Sequence, residues 1–363
     1  KTLYGVIGEN DTILVVGNEG TILTSPVVTT SSATVSTVTL GGLDISSAYF
    51  EKMTASGQDL YLAMMGEIYR VNLVAGQGGT TTGTVTTIEP SFTAASYYNT
   101  GSEVPYEYIP DLVAIGTGIY FPDTSNKLIR KIDTSTFNIT TLAGRVENFA
   151  DGTGPDAEFK SPNKLLVSGT DIYVRDDQRI RKVDSNTGEV STFQTSADAN
   201  HMQKWTSLGT DIYYYHQEYS NTAYAYIRKI FKLSPDGSVN ELELNNYTIE
   251  GNVHVLTSDG TDLLFTESGG NNTIKYLRVA VDTGVVTSYT AAGESLTSIS
   301  QMEVIGDSLF ASNYGSDIYK IELSGTTATV SKVTLSGLDT SSGVYFEKMA
   351  SSGDVLYLTS YNS

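Results

Sequence analysis

His201, His216 and His254 are the only histidines in the chain, and cysteine is absent. Imidazoles on neighbouring stretches could converge on a metal, the arrangement that a metal-dependent lyase or lactonase needs. Such centres take several His or carboxylate ligands from comparable places, and comparable places elsewhere in this chain hold no His. Structural or surface histidine is the expectation. Asp151-Gly152-Thr153-Gly154-Pro155-Asp156 offers the oxygen ligands and tight turn of a calcium loop, but lacks EF-hand spacing and a distal bidentate Glu. A plain connecting loop and no cofactor are the expectation, with calcium as the alternative, and Asp176 and Asp177 have the same status. Arg130, Arg181 and Arg228 each follow Ile and precede Lys. They read as equivalent residues, either bridging to acids such as Asp133 and Asp184 or forming an anion-binding ring. Buried guanidinium groups need such partners to offset desolvation.

Tyrosine is the unusual enrichment, with 24 residues against one Trp, Trp205. Tyr97, Tyr98, Tyr106 and Tyr108 cluster in one segment, and Tyr213, Tyr214, Tyr215, Tyr224 and Tyr226 in a second. A large contact area with a polar tip suits glycan stacking or a protein interface. These nine residues are the candidate binding residues, and no catalytic residue is assigned.

Other classes are excluded by what the chain lacks or carries. Without Cys there are no disulfides, thiolate metal sites or cysteine nucleophiles. No Ser-x-Asp-x-Gly-x-Thr-Trp box of the sialidase kind is present. A formal charge of −19 would repel a phosphate backbone, so nucleic acid is not an expected partner. No apolar run approaches the ~18 residues of a membrane-spanning helix, so no membrane insertion is expected. The sequence starts at Lys1 with no charged and apolar leader after it, as a processed or trimmed N-terminus would. The missing Cys and the acidic surface fit an exported bacterial protein, extracellular or at the cell surface.

The elements that must position these residues come from a repeat. A turn of Gly, one or two polar residues and an apolar-aromatic run recurs at Gly57-Gln58-Asp59-Leu60-Tyr61, Gly169-Thr170-Asp171-Ile172-Tyr173 and Gly209-Thr210-Asp211-Ile212-Tyr213. Weaker copies start at Gly8, Gly116, Gly260, Gly306 and Gly353, which makes eight copies in all, spaced by 40 to 59 residues. Gly accepts positive φ in such hairpins while Asp or Thr bonds the local backbone. A second element reads Ile129-Arg130-Lys131-Ile132-Asp133, Ile180-Arg181-Lys182-Val183-Asp184 or Ile227-Arg228-Lys229-Ile230. Apolar residues three apart in a strand point to opposite faces, so these strands must be covered on both sides. A third element, such as Gly188-Glu189-Val190-Ser191-Thr192-Phe193, closes each unit.

Four strands per unit at this spacing make a blade, and the predicted fold is all-β: a β-propeller of four-stranded antiparallel blades in one domain over residues 1–363. Full blades are expected near 1–42, 49–90, 109–144, 159–195, 202–244, 253–293 and 299–337, with a terminal half blade over 345–363, giving seven or eight blades. Leu142-Ala143-Gly144, Ala150-Asp151-Gly152-Thr153-Gly154, Ala157-Glu158-Phe159, Pro162, Ile172-Tyr173-Val174 and Ile180-Arg181-Lys182-Val183 resemble an NHL repeat, and many NHL propellers act as interaction platforms. Val16-Gly17-Asn18-Glu19-Gly20-Thr21-Ile22-Leu23-Thr24-Ser25 is similar to repeats of the BNR and photosystem-assembly type. The half blade suggests an open strand edge, used for self-assembly or to meet a further domain. The expected function is a non-enzymatic structural or assembly subunit, or an adhesion and binding scaffold. Its expected partners are copies of itself, another surface protein or a glycan. A calcium-dependent lyase or lactonase of the propeller kind is the alternative.

Overall fold

A computed structural model of the protein describes residues 12–17, 21–26, 32–34, 36–41, 50–56, 59–64, 66–75, 81–88, 109–145, 149–195, 204–268, 273–305, 308–313, 317–336, 344–352 and 355–362. Among them, regular structure is strand throughout, apart from one 3-10 turn at Gly154–Asp156.

The repeat unit is clearest over residues 152–195. Pro162–Ser168, Asp171–Asp176, Arg179–Asp184 and Glu189–Thr195 pair antiparallel in chain order, and the short strand Gly152–Thr153 is added outside the fourth. Gly169, at φ 62°, closes the first hairpin, where Ser168 faces Asp171. Val113–Ile115 to Ile139–Ala143 and Lys204–Leu208 to Val239–Glu241 form further four-stranded antiparallel sheets. Phe50–Ser56 to Thr81–Ile88, Val253–Ser258 to Val286–Gly293 and Gln301–Ile305 to Thr327–Ser336 repeat the pattern inside two nine-stranded sheets.

Gly188 shows how tightly successive units approach. Its φ is 71°, and a Cβ there would run into the carbonyl oxygen of Leu142 in the preceding sheet. Gly188→Ala is therefore expected to destabilise by about 1–3 kcal/mol, a left-handed backbone penalty plus displacement of the neighbouring strand. Urea titration measures it as a lowered midpoint at unchanged m.

The sheets stack face to face, and alternate residues of each second strand supply both faces. Ile212 and Tyr214 pack with Tyr173 and Ile180 of the preceding sheet, whereas Tyr213 and Tyr215 pack with Leu263, Phe265 and Leu277 of the next. Tyr120 likewise joins Ile172 and Val174, while Ile119 and Phe121 join Tyr61 and Ile68. Each such side chain contributes about 1.5–3 kcal/mol when fully buried. Innermost strands meet at the other edge of the stack. Phe50–Ser56 touches Val113–Ile115, which touches Pro162–Ser168, then Lys204–Leu208, Val253–Ser258 and Gln301–Ile305. Val344–Ser352 touches both Gln301–Ile305 and Phe50–Ser56.

Two expectations about the ends are corrected. The described strands of residues 1–42 do not form a four-stranded sheet of their own. Thr12–Gly17, Thr21–Pro26 and Ser36–Gly41 run side by side between the terminal hairpin and Thr81–Ile88, and Ser32–Thr34 pairs with Thr327–Ser336 instead. Nor is the terminal hairpin open at its outer edge. Leu14, Val15 and Val16 pair in parallel with Tyr357, Leu358 and Thr359. The edge that suggested assembly between molecules is occupied by the chain's own N-terminal strand.

Candidate functional site

Counting from the turn glycines locates two sets of equivalent residues. Seven positions after Gly116, Gly169, Gly209 and Gly260 stand Asp123, Asp176, His216 and Glu267, all buried and at equivalent places on second strands. Their neighbours hold them in place. Asp123 pairs with Arg130 at 3.0 Å and accepts Asn126. Asp176 accepts the backbone N–H groups of Lys160 and Ser161 at 2.9 and 2.6 Å and pairs with Arg181 at 3.3 Å. Burial nevertheless holds the Asp176 carboxyl above the usual carboxylate range, its hydrogen bonds and Arg181 pulling the other way. Glu267 Oε1 accepts Lys275 Nζ and the Tyr247 hydroxyl, each at 2.7 Å. The hydrogen bond to Glu267 raises the Lys275 ammonium, and burial with the same carboxylate raises the Tyr247 phenol. Asp176 and Glu267 thus tie their hairpins to the segments that precede the first strands, at Lys160 and Ser161 and at Tyr247.

The arginine expectation needs correcting on both counts. Arg130 faces Phe121 and Arg181 faces Val174, but Arg228 faces Gln217; the matching rung of its sheet is Phe231 opposite Tyr214. No ring of three equivalent arginines exists. The partners also differ, since Asp133 and Asp184 cap turns. Asp133 Oδ1 accepts the N–H of Ser135 and Thr136, and Asp184 Oδ1 accepts those of Asn186 and Thr187. In Asp133 those bonds, led by the Ser135 hydroxyl, lower the carboxyl to about 2.

The proposed calcium loop is engaged with protein groups. Asp151 Oδ1 accepts Arg181 Nη2 at 2.8 Å and Thr192 Oγ1 at 2.7 Å. Asp177 pairs with Lys160 at 3.1 Å. His216 is buried edge-on to Phe231, 5.7 Å between ring centroids, with Glu218 at 3.7 Å. His254 Nε2 lies 2.9 Å from Ser268 Oγ, and burial and Lys204 lower its pKa. His201 lies outside the described residues. Among the described residues no three His, Asp or Glu side chains are grouped to hold a metal.

The tyrosines divide sharply. Tyr213, Tyr214 and Tyr215 are 2%, 2% and 6% exposed, which corrects their assignment as binding residues. Successive strand residues face opposite sides, and here both sides are covered by neighbouring sheets. Tyr214 stacks on Phe231 at 5.4 Å, and the Tyr215 hydroxyl donates to Gln217. Tyr97, Tyr98, Tyr106 and Tyr108 lie outside the described residues. Tyr224 and Tyr226 are 82% and 52% exposed, and Tyr219, which the sequence reading missed, is 52% exposed. They sit on a long hairpin. Asp211–Ser220 and Ala225–Leu233 run ten and nine residues where Asp171–Asp176 and Arg179–Asp184 run six each. Tyr219 faces Tyr226 across the ladder with rings 5.3 Å apart, and the Arg228 guanidinium lies 5.0 Å over Tyr226. Tyr224 takes φ 51° in the turn.

A second set was also missed. Five positions before Gly57, Gly116, Gly169, Gly209, Gly260, Gly306 and Gly353 stand Lys52, Asp111, Lys164, Lys204, Val255, Gln301 and Lys348, all on first strands or just before one. The spacing was readable, because each first strand is fixed to its turn glycine. Lys52 Nζ lies 3.5 Å from Asp111 Oδ1, and Asp111 Oδ2 accepts the N–H of Leu165 at 3.0 Å. Lys164 faces Arg175 across the ladder, and Arg175 Nε donates to Asn163 Oδ1 at 2.8 Å. Lys164 and Lys204 are half-buried and make no ion pair or side-chain hydrogen bond with a described residue. Burial lowers the pKa of both, and for Lys164 the charges of Arg175, Lys52 and Lys204 add to it against Asp111.

No family model matches the chain, and no curated protein matches it. Solved structures do. The chain is similar to the computationally designed Ika8 protein at 9% identity and TM-score 0.57, over 100% of this chain and 96% of that one. The extracellular domain of a hybrid two component system from B. thetaiotaomicron matches at 12% identity and TM-score 0.53, over 88% of this chain and 39% of that one. Saccharomyces cerevisiae Sqt1 matches at 14% identity and TM-score 0.51, over 100% of this chain and 97% of that one. At these identities the likeness concerns fold alone: an all-β, propeller-like stack of four-stranded antiparallel sheets.

Proposed function

We propose that the protein is a non-enzymatic binding scaffold of the extracellular or cell-surface kind, a seven-bladed ring whose long tyrosine hairpin is the contact surface. The cyclic contacts of the seven innermost strands support the ring, with the terminal hairpin and the N-terminal strands sharing the last blade. The NHL resemblance stays confined to residues 142–183, and its interaction-platform character agrees with this reading. The observation that carries the function is the hairpin itself. Every other tyrosine described between residues 61 and 319 is buried or half-buried, whereas Tyr219, Tyr224 and Tyr226 face solvent together. Exposed aromatic clusters of this kind mark contact sites, and a saccharide ring or a protein surface would pack on them.

Glycan-array screening and sedimentation of the full chain test the proposal. Tyr226→Ala is expected to lower affinity for the glycan or protein captured by at least about tenfold, as hot-spot aromatics do. It should change unfolding free energy by less than about 0.5 kcal/mol, because the residue is exposed. A Tyr219→Ala/Tyr224→Ala/Tyr226→Ala variant that binds as the parent does would refute the assignment. The reading uses no metal, so EDTA is expected to leave the melting temperature unchanged. A chelator-induced drop would instead favour the calcium-dependent alternative.

A further inference from the structure

Lys52, Lys164 and Lys204 stand at equivalent places on three first strands, with the strand after Asp111 between the first two; these strands touch in that order, and Arg175 on a second strand faces Lys164. The facing carboxylate is Asp111, already bonded to Lys52 and the backbone of Leu165. Four cations against one carboxylate leave three positive charges on half-buried groups, in a chain whose total charge is −19. Asn163 orients Arg175, and His254, in contact with Ser268, feels the charge of Lys204. Glu303 comes two residues beyond Gln301 on a later first strand, two rungs further along.

Half-buried like charges are unfavourable unless something offsets them. Structural ion pairs elsewhere in the molecule show what compensation looks like: Lys182 with Asp171 and Lys232 with Asp211, each at 2.7 Å. Lys164 and Lys204 have no such acid among the described residues. Their place in the fold gives access. Lys164 lies at the rung of Arg175, next to Asp176 and the second hairpin turn, so the cluster sits toward the end of the sheets that bears those turns. The long tyrosine hairpin projects from that same end, since Lys204 faces Tyr215 on the strand that runs on to Tyr219.

We propose that Lys52, Lys164 and Lys204, with Arg175 beside them, form a binding site for a multiply charged oxyanion on the innermost strands. Lysine ammonium groups act as compact point charges toward carboxylate or phosphate oxygens, and Asn163 fixes the guanidinium that would meet the same ligand. The site is separate from the aromatic hairpin, and either could fail without the other.

The test is calorimetric titration of the full chain with citrate, tetragalacturonate and inorganic phosphate, at ionic strength held constant with sodium chloride. At least one probe should bind at one per chain and raise the melting temperature. Binding of the carboxylates alone identifies a carboxylate ligand, and binding of phosphate alone a phosphate. Lys164→Met and Lys204→Met should each weaken binding at least about tenfold, as loss of a charge-assisted partner does. Tyr226→Ala should leave it unchanged. In anion-free buffer the two Met variants should melt higher than the parent, since each removes an uncompensated charge while keeping the stem; this readout needs no ligand. Failure of all three probes to bind, or Met variants that bind as the parent does, would overturn the site.

Discussion

Arg181→Ala is expected to lose about 3–5 kcal/mol of unfolding free energy, the range for stripping one partner from a buried ion pair. The side chain is fully buried. Nη1 donates to the Glu158 carbonyl at 2.9 Å and to Asp176 at 3.3 Å, and Nη2 to the Ala150 carbonyl at 2.7 Å and Asp151 at 2.8 Å. One residue thus joins the third strand, the second strand and the loop before the first. Removing it leaves Asp176 buried without its cation, so the carboxyl, already held high, rises further. The sign of the pH dependence follows. A carboxyl whose folded pKa exceeds its unfolded one binds more protons in the folded state, so its penalty is present above the folded pKa and relieved as pH falls through it. The difference between parent and variant in urea unfolding should therefore shrink on acidification. Adding Asp176→Asn should recover part of the loss at neutral pH. A variant within about 1 kcal/mol of the parent would show the pair to be structurally idle.

The same pair shows why the sequence was readable only in part. Gly-Thr-Asp-Ile-Tyr turns and strands apolar on both faces specify four-stranded units and their stacking, because turn chemistry and period-two burial are local properties. Register is less local. Ile227-Arg228-Lys229-Ile230 copies the letters of Ile180-Arg181-Lys182-Val183, but the hairpin that carries it is longer, so Ile230-Phe231-Lys232-Leu233 occupies the matching rungs. Lys232 opposite Tyr213 is the true counterpart of Lys182 opposite Tyr173. That displacement made Arg228 look like a ring member and concealed the extension that lifts Tyr219, Tyr224 and Tyr226 into solvent. Tyr213, Tyr214 and Tyr215 failed as candidates for a related reason. Composition signals a contact surface, and only stacking decides whether that surface is a neighbouring blade or a partner. The lysines on the first strands were legible by counting from the glycines, a spacing the letter motifs do not show.

Deleting residues 344–363 should have the other large effect, on cooperativity and association. Pairing of the chain ends could not be read from local sequence, since it joins Leu14–Val16 to Tyr357–Thr359 across the whole chain. In the intact protein Val344–Ser352 lies between the first strands Gln301–Ile305 and Phe50–Ser56. Without the hairpin both strands lose a neighbour, and Thr12–Gly17 loses its parallel partner. Unpaired strand edges and bared apolar faces recruit other chains. The truncated protein should therefore elute as oligomers or aggregates in light-scattering chromatography, with a broadened or biphasic urea transition. The parent should elute as a monomer, because its own N-terminal strand occupies the edge that would otherwise drive assembly. A truncated chain that stays monomeric and unfolds in one transition at the parent's midpoint would mean that the pairing of the terminal strands contributes nothing to stability. A parent that forms filaments would restore assembly as its function, through a surface other than that edge.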